Sequence, residues 1–251
     1  MKPLYPDIAD KVVVVTGAAR GIGRAIALEF ARHKAKIIID DLPEREELLE
    51  EVRKELEATG IAVIAVVADV RKESDVKTLV EKSIAKFGRI DVLVNNAGIV
   101  YDIDWDKKTE DQWHDTLATN LVGPYLLIRE ARQYLLDAKG VVVNISSTNA
   151  YKAMNPFSLD YDASKAGLIT LTQNMAKALA PDVRVNAVAP GWVDTDMNTE
   201  LSPEVLQNET AKIFKKRFAS ADEIASVVAF LASQGARYIN GTTITVDGGY
   251  Q

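Results

Sequence analysis

Short apolar, β-branched runs alternate along this chain with longer segments whose apolar positions recur at helical spacing. The runs are Val12–Val15, Ile37–Ile39, Ala62–Val67, Val92–Val94, Val141–Ile145, Val183–Val188 and Thr243–Val246. Most are continuously apolar instead of alternating, which is the habit of strands covered on both faces in a parallel sheet. Between the first two runs, Ile22, Ile26 and Phe30 recur every fourth residue. Pro43–Ala58 reads as a highly charged helix with Leu48, Leu49, Val52 and Leu56 as its inward stripe. Glu73–Phe87 repeats the theme with Val76, Leu79, Val80, Ile84 and Phe87. Longer helices are predicted over Glu110–Asp137, where Pro124 should kink or bend the chain, and over Tyr161–Leu179. The last helix, Ala221–Ala232, opens on Ser220 as a plausible N-cap. Strand–helix–strand repetition predicts a doubly wound α/β fold, a seven-stranded parallel sheet with helices on both faces and right-handed crossovers. No composition break divides the chain, so residues 1–251 read as one domain. The one long irregular stretch, Trp192–Asn208, has the length of a functional loop, and a substrate loop is expected over about 192–215.

Composition narrows the classes. The 251 residues include 30 basic and 36 acidic side chains, a net charge of -6, and 47% are hydrophobic. A chain of this size buries about 70% of its unfolded surface, enough for one large core. That apolar content excludes intrinsic disorder. No apolar run approaches the ~20 residues of a membrane span. The N-terminal residues lack the apolar stretch of a secretory signal, so a cytoplasmic location is expected. Cysteine is absent and there are two histidines. Disulfides and zinc sites therefore drop out, and no metal is expected. His33 and His114 fall on what read as solvated helix surfaces. The acidic balance argues against nucleic acid. A small-molecule partner remains.

The first run leads into Thr16-Gly17-Ala18-Ala19-Arg20-Gly21-Ile22-Gly23-Arg24. Glycines between a strand and a helix permit a sharp turn and let backbone N–H groups approach a pyrophosphate at the helix N-terminus. Asp40 and Asp41 close the second strand about 20 residues on, the spacing that ribose hydroxyl recognition requires. A carboxylate there accepts from both ribose hydroxyls and repels a 2′-phosphate by about 1–4 kcal/mol at ~4 Å. Asp40 reads equally as a strand-end residue without a ligand, and Arg20 as a surface charge.

Further motifs follow in order. They are Asp69 after the third run, Asn95-Asn96-Ala97-Gly98 after the fourth and Asn120 in the long helix. Then come Ile145-Ser146-Ser147 after the fifth, Tyr161-x-x-x-Lys165, Asn186-x-x-x-Pro190-Gly191 and Asp247-Gly248-Gly249. Together with the glycine turn this series resembles the short-chain dehydrogenase/reductase family in its compact form, over nearly the whole chain. The resemblance implies hydride transfer between a nicotinamide cofactor and a secondary alcohol or ketone. It places the cofactor against Gly17, Arg20, Gly21, Ile22, Gly23, Asp40 and Asp41. Asp69 and Val70 would flank the adenine. Asn95, Asn96, Ala97 and Gly98 would line the path to the nicotinamide ribose, with Pro190, Gly191 and Val193 beyond them and Thr195 on the carboxamide. In this family an acidic residue at Asp41 goes with NAD, whereas a basic residue at Arg20 often goes with NADP; NAD is expected and NADP ranks second.

Tyrosine is a poor base at neutral pH because its reference pKa is about 10, but nearby positive charge can recruit it. Lys165 lies one helical turn beyond Tyr161, so the two face one side. By resemblance Tyr161 is the acid/base, Lys165 contacts cofactor and tyrosine, and Ser147 orients the substrate oxygen, with Ser146 the weaker candidate. Asn120 would hold a water linking Lys165 to solvent. Substrate contacts are expected from Ser147, Asn149, Met154, Phe157, Trp192 and Met197, a largely neutral set that fits a sugar, polyol or other hydroxy compound. The alternatives are 3-oxoacyl-[acyl-carrier-protein] reduction and a non-catalytic NAD-binding sensor on the same fold. Relatives are usually tetramers, so a homotetramer is expected. Leu126, Leu127, Tyr134, Leu135, Ile169 and Leu171 are more apolar residues than one core face needs.

Overall fold

Val12 and Val14 pack with one hydrophobic cluster while Val13 and Val15 pack with another, and Ile38 faces away from Ile37 and Ile39 in the same manner. This is why the strands are continuously apolar: successive side chains point to opposite faces, and both faces are covered. The structure, a computed structural model, describes residues 4–152, 155–195 and 202–250. Its strands are β1 (Val12–Val15), β2 (Lys36–Asp41), β3 (Val63–Val67), β4 (Val92–Asn95), β5 (Val141–Ile145), β6 (Arg184–Pro190), β7 (Val193–Asp194), β8 (Ala219–Ser220) and β9 (Thr243–Val246). Seven of them form one parallel sheet in the order β3-β2-β1-β4-β5-β6-β9, and β7 pairs with β8 apart from it. The order reverses between β1 and β4, and open α/β sheets bind ligands beyond the strand C-termini at such a switch point.

The helices are α1 (Gly21–Arg32), α2 (Glu46–Ala58), α3 (Glu73–Phe87), α4 (Glu110–Leu117), α5 (Gly123–Ala138), α6 (Leu159–Ala178), α7 (Pro203–Lys212) and α8 (Ala221–Ala232). Phe30 of α1, Leu49, Val52 and Leu56 of α2, and Val228 of α8 cover one face. Leu79 of α3, Leu127 and Leu135 of α5, and Ala176 of α6 cover the other. The N-terminus of α8 carries a capping box between Ser220 and Glu223.

Several expectations are corrected. The helix expected over Glu110–Asp137 is two helices joined by a π turn, Ala118–Val122, and Pro124 sits in the first turn of α5, where a missing N–H costs nothing. Leu48 is exposed because the buried stripe of α2 runs through Leu49, Val52 and Leu56, and Leu48 lies about a quarter turn off it. His33 is buried against the Tyr5 ring instead of solvated, while His114 is exposed as expected. The stretch Trp192–Asn208 includes β7 and much of α7. Leu126, Leu127 and Leu135 lie in the core, so the exposed apolar residues of the α5 region are Val122 and Tyr125. Among the described residues no helix is long and apolar enough to cross a membrane.

Candidate active site

The glycine turn joins β1 to α1 at the switch point. Gly17 adopts φ +63°, and a Cβ there would meet the Ala97 Cα at 2.8 Å. A Cβ on Gly23 would overlap the Gly17 carbonyl oxygen, so both positions require glycine. Thr16 and Asn96 fix the turn to β4: the Thr16 hydroxyl accepts from the N–H groups of Asn96 and Ala97, both at 3.0 Å, and Asn96 Nδ2 donates to the carbonyls of Thr16 (2.8 Å) and Gly17 (3.0 Å). Asn96 therefore holds the turn in shape. The N-terminus of α1 has no side-chain cap and no acidic residue in its first turn. Its N–H groups and dipole suit a bound phosphate. The side chain of Thr195 lies over this turn, 3.7 Å from where a Gly21 Cβ would stand.

The two carboxylates at the end of β2 part company. Asp41 accepts from the N–H groups of Ala19 (3.0 Å) and Leu42 (2.9 Å), with Arg45 Nη1 at 3.4 Å. Asp40 is buried behind the turn, where its carboxyl meets the Gly17 N–H and its Oδ1 has no partner. Burial, then the neighbouring carboxylates of Asp41 and Asp69, hold Asp40 well above the usual carboxylate range against the pull of that N–H. Both carboxylates are buried, and Asp41 is the one bonded to the backbone N–H of Ala19 within the turn. Arg20 stands at the N-cap of α1, exposed beside the turn. Asp69 is gripped by Arg71 through both oxygens, at 2.9 and 2.8 Å. Burial works upward on its pKa, but Arg71 outweighs it and holds the carboxyl below its ordinary value. Val70 is buried against Gly123 at the start of α5.

Three catalytic candidates meet at the ends of β5 and α6. The Ser147 hydroxyl is buried, lies beside the Tyr161 phenol and accepts from the Asn149 N–H at 3.1 Å. Ser146 donates its hydroxyl to the Lys165 carbonyl at 2.9 Å. Lys165 Nζ donates to the Ile145 carbonyl at 2.8 Å and stands 5.5 Å from the Tyr161 ring centroid. Burial pushes the Tyr161 phenol up to about 12; the neighbouring Ser147 hydroxyl works against it, and the charges of Asp162 and Asp102 add to it. Burial pushes the Lys165 ammonium down to about 8. A Cβ on Gly98 would come within 3.3 Å of both Lys165 Nζ and Asn120 Oδ1, so that glycine keeps the space beside the ammonium open.

Asn120 lies in the π turn, fully buried. Its Oδ1 accepts from the Ile99 N–H and its Nδ2 donates to the Ile99 carbonyl, both at 2.9 Å, and to Ser164 Oγ at 3.0 Å. It straps the segment after β4 to α6 beside Lys165. Asn95 is drawn into a buried chain through Asn144 to Thr172 and stiffens the sheet edge. Gly191 donates to the Val246 carbonyl at 3.0 Å at the end of Pro190, and Val193 is buried in β7.

Of the expected substrate contacts, Phe157 is exposed at the rim and Ile103 donates to its carbonyl at 3.1 Å. Asn149 instead donates to Asp162 at 2.8 Å. Asp162 also accepts from the Asn155 N–H and the Ser158 hydroxyl, so one carboxylate pins the loop between Ser147 and α6. Trp192 donates its indole N–H to Glu209 at 3.0 Å. Met154 and Met197 lie outside the described residues. Sequence reasoning missed Asp162, Glu209 and a buried ion pair between Lys108 and Asp160, the residue before Tyr161. Lys108 and Asp160 lie 52 residues apart and Trp192 and Tyr250 lie 17 and 41 residues from Glu209, so only Asp162, next to the tyrosine, had a local signal. Among the described residues no cluster of His, Cys, Asp or Glu could hold a metal.

A family model described as enoyl-(acyl carrier protein) reductase matches residues 17–251. The chain is 40% identical to the 3-oxoacyl-[acyl-carrier-protein] reductase FabG of Staphylococcus aureus, over 95% of this chain and 97% of that protein. Among solved structures, a blue fluorescent protein from a metagenomic library in complex with NADPH is similar at TM-score 0.91 and 34% identity, covering 96% of this chain and 98% of that one. A short-chain dehydrogenase/reductase of Brucella melitensis, described as a glucose/ribitol dehydrogenase, is similar at TM-score 0.92 and 32% identity, covering 99% of this chain and 98% of that one.

Proposed function

The chain belongs to the short-chain dehydrogenase/reductase family and is an oxidoreductase of CH–OH and keto groups; from that premise we propose that it interconverts a neutral secondary alcohol (a sugar, polyol or similar compound) with its ketone, preferring NAD, in the cytoplasm and as a homotetramer. The observation that carries the reading is the meeting of Ser147, Tyr161 and Lys165 at the sheet edge, with Ser147 beside the phenol and the ammonium 5.5 Å from its ring centroid.

In this reading the uncapped start of α1 and the glycine turn hold the pyrophosphate, Asp41 the ribose hydroxyls, and Val70 the adenine side. Ala97, Gly98, Pro190, Gly191 and Thr195 line the way to the nicotinamide. The oxidised nicotinamide supplies, when bound, the hydride acceptor and a positive charge. Ser147 donates a hydrogen bond to the substrate oxygen and aims it at Tyr161. Tyr161 Oη takes the hydroxyl proton during oxidation and returns it during reduction. Lys165 stabilises the phenolate with its charge and carries no proton from the substrate directly. Asn120 keeps Ile99 and α6 in register beside Lys165. Asp41 supports NAD because its carboxylate would repel a 2′-phosphate by about 1–4 kcal/mol.

A second reading, reduction of a carrier-bound 3-oxoacyl thioester, is favoured by the 40% identity to FabG over 95% of this chain. Steady-state rates with NAD and NADP over a panel of sugars and polyols, beside reduction of an acetoacetyl thioester, separate the two. The first reading expects higher kcat/KM with NAD on at least one polyol, and Asp41→Ala should shift preference toward NADP about tenfold or more. Thioester reduction with NADPH outrunning every polyol would replace it with the second reading.

A further inference from the structure

Side chains that the proposed chemistry leaves unused converge at the C-terminal turn. Glu209, near the end of α7, accepts at Oε2 from the Trp192 indole N–H (3.0 Å) and the Tyr250 hydroxyl (2.6 Å), and at Oε1 from Lys212 Nζ (2.6 Å). The carboxylate is only 16% exposed. Trp192 stacks on Phe218 with ring centroids 5.2 Å apart and planes 13° from parallel, and its carbonyl accepts from the Ala219 N–H. The backbone of the C-terminal turn continues the arrangement. Phe214 N–H donates to the Gly249 carbonyl (3.3 Å), Lys215 N–H to the Gly248 carbonyl (3.2 Å), and Ile213 bridges to Tyr250. From the loop after Ser147, Lys152 donates to Asp247 (2.9 Å) and to the Tyr250 carbonyl (2.7 Å), and Tyr151 meets Thr245 through its hydroxyl.

Three segments that flank the substrate side therefore gather at one turn: the loop after Ser147, the link between β6 and β7 that carries Trp192, and α7. We propose that Glu209 is a positioning residue for substrate capture, holding Trp192 and α7 against the Asp247–Tyr250 turn so that the far wall of the substrate site is set before substrate arrives. The inference rests on the oxidoreductase reading, because it assigns that wall to the substrate. Glu209 touches neither the cofactor turn nor Ser147, Tyr161 or Lys165, whose positions are fixed by β5 and α6. Losing the Glu209 carboxylate leaves the indole N–H and the phenol O–H without their acceptor and frees Trp192 to tilt on Phe218. The consequence falls on KM and spares kcat.

The test uses the full chain in a Trp105→Phe/Trp113→Phe background, leaving Trp192 as the sole tryptophan. Glu209→Leu should raise KM about tenfold or more, with kcat and NAD affinity within about twofold, and should increase acrylamide quenching of Trp192. Glu209→Gln, which keeps an acceptor oxygen, should restore both readouts to within about threefold of the parent. Unchanged KM and quenching in Glu209→Leu would overturn the proposal, as would parallel loss of kcat and NAD affinity. Should Glu209→Leu not fold, Tyr250→Phe decides: raised KM and raised quenching support the proposal, and parent values overturn it. If the parent turns over no alcohol, ketone or thioester, the functional reading fails, while the quenching arm still decides whether Glu209 holds Trp192.

Discussion

Asp40 and Asp41 stand side by side at the end of β2, and their surroundings give them different work. Both are buried, but Asp41 accepts from two backbone N–H groups and faces Arg45, whereas Asp40 has one oxygen unpartnered. Burial first, then the charges of Asp41 and Asp69, raise the Asp40 pKa in the folded chain. A raised carboxyl pKa means that the folded state binds the proton more tightly, so stability falls as pH climbs from about 4 through the raised value. Asp40→Asn removes that dependence. Its melting temperature relative to wild type should rise progressively from pH 5 to pH 8 by scanning calorimetry; a difference that does not change with pH would contradict the assignment. Lys165 and Tyr161 make a second prediction. Burial draws the ammonium down to about 8 and lifts the phenol to about 12, so across the neutral range the tyrosine is protonated and the lysine charged. Ketone reduction, which needs both, should lose kcat/KM above about pH 8 as Lys165 is neutralised, and Lys165→Met should flatten the profile at a far lower rate. A profile of the wild type level through pH 10 would contradict this.

Elements were legible in proportion to how local their signals were. The strands of the main sheet declared themselves because both sheet faces are covered, α3 through its apolar period, and α8 through its Ser220 cap. The pairing of Tyr161 with Lys165 followed from one helical turn of spacing. What stayed hidden depended on partners far apart in sequence. The extra residue of the π turn, which sets Asn120 on Ile99 and Ser164, leaves no periodic trace. Lys108 reads as surface charge, yet its side chain and that of Asp160, 52 residues on, are both fully buried. Lys108 also donates to the Tyr101 carbonyl at 2.7 Å, and Asp160 accepts from the Thr116 hydroxyl at 2.7 Å, so the pair ties the segment after β4 and helix α4 to the residue beside Tyr161. Removing one member strands a buried charge. Lys108→Met should cost about 3–5 kcal/mol and lower the melting temperature by about 10 °C, and adding Asp160→Asn should recover most of it. A loss below about 1 kcal/mol in denaturant titration would show that the pair is not held dry.

At the scale of the molecule, the doubly wound sheet with its switch point between β1 and β4 follows from the alternation of runs and helices and the right-handed crossover rule. Function was legible because the motifs sit at strand C-termini, where that topology gathers them. Substrate identity was not, because the surrounding side chains, Asn149 and Trp192 among them, are bonded to carboxylates of the chain itself. The proposed homotetramer places Val122 and Tyr125 at a subunit contact. Light scattering should give four times the 27.5 kDa chain mass, and Tyr125→Glu should lower it. A 27.5 kDa particle for the wild type would contradict the assembly.

The most direct test is single-turnover hydride transfer by Tyr161→Phe beside wild type, with NAD affinity measured by titration on the same samples. Transfer should slow about 10²–10⁴-fold while NAD affinity stays within about threefold, since the phenol moves a proton and the glycine turn with Asp41 holds the nucleotide. Transfer at the wild-type rate would show that another group carries the proton.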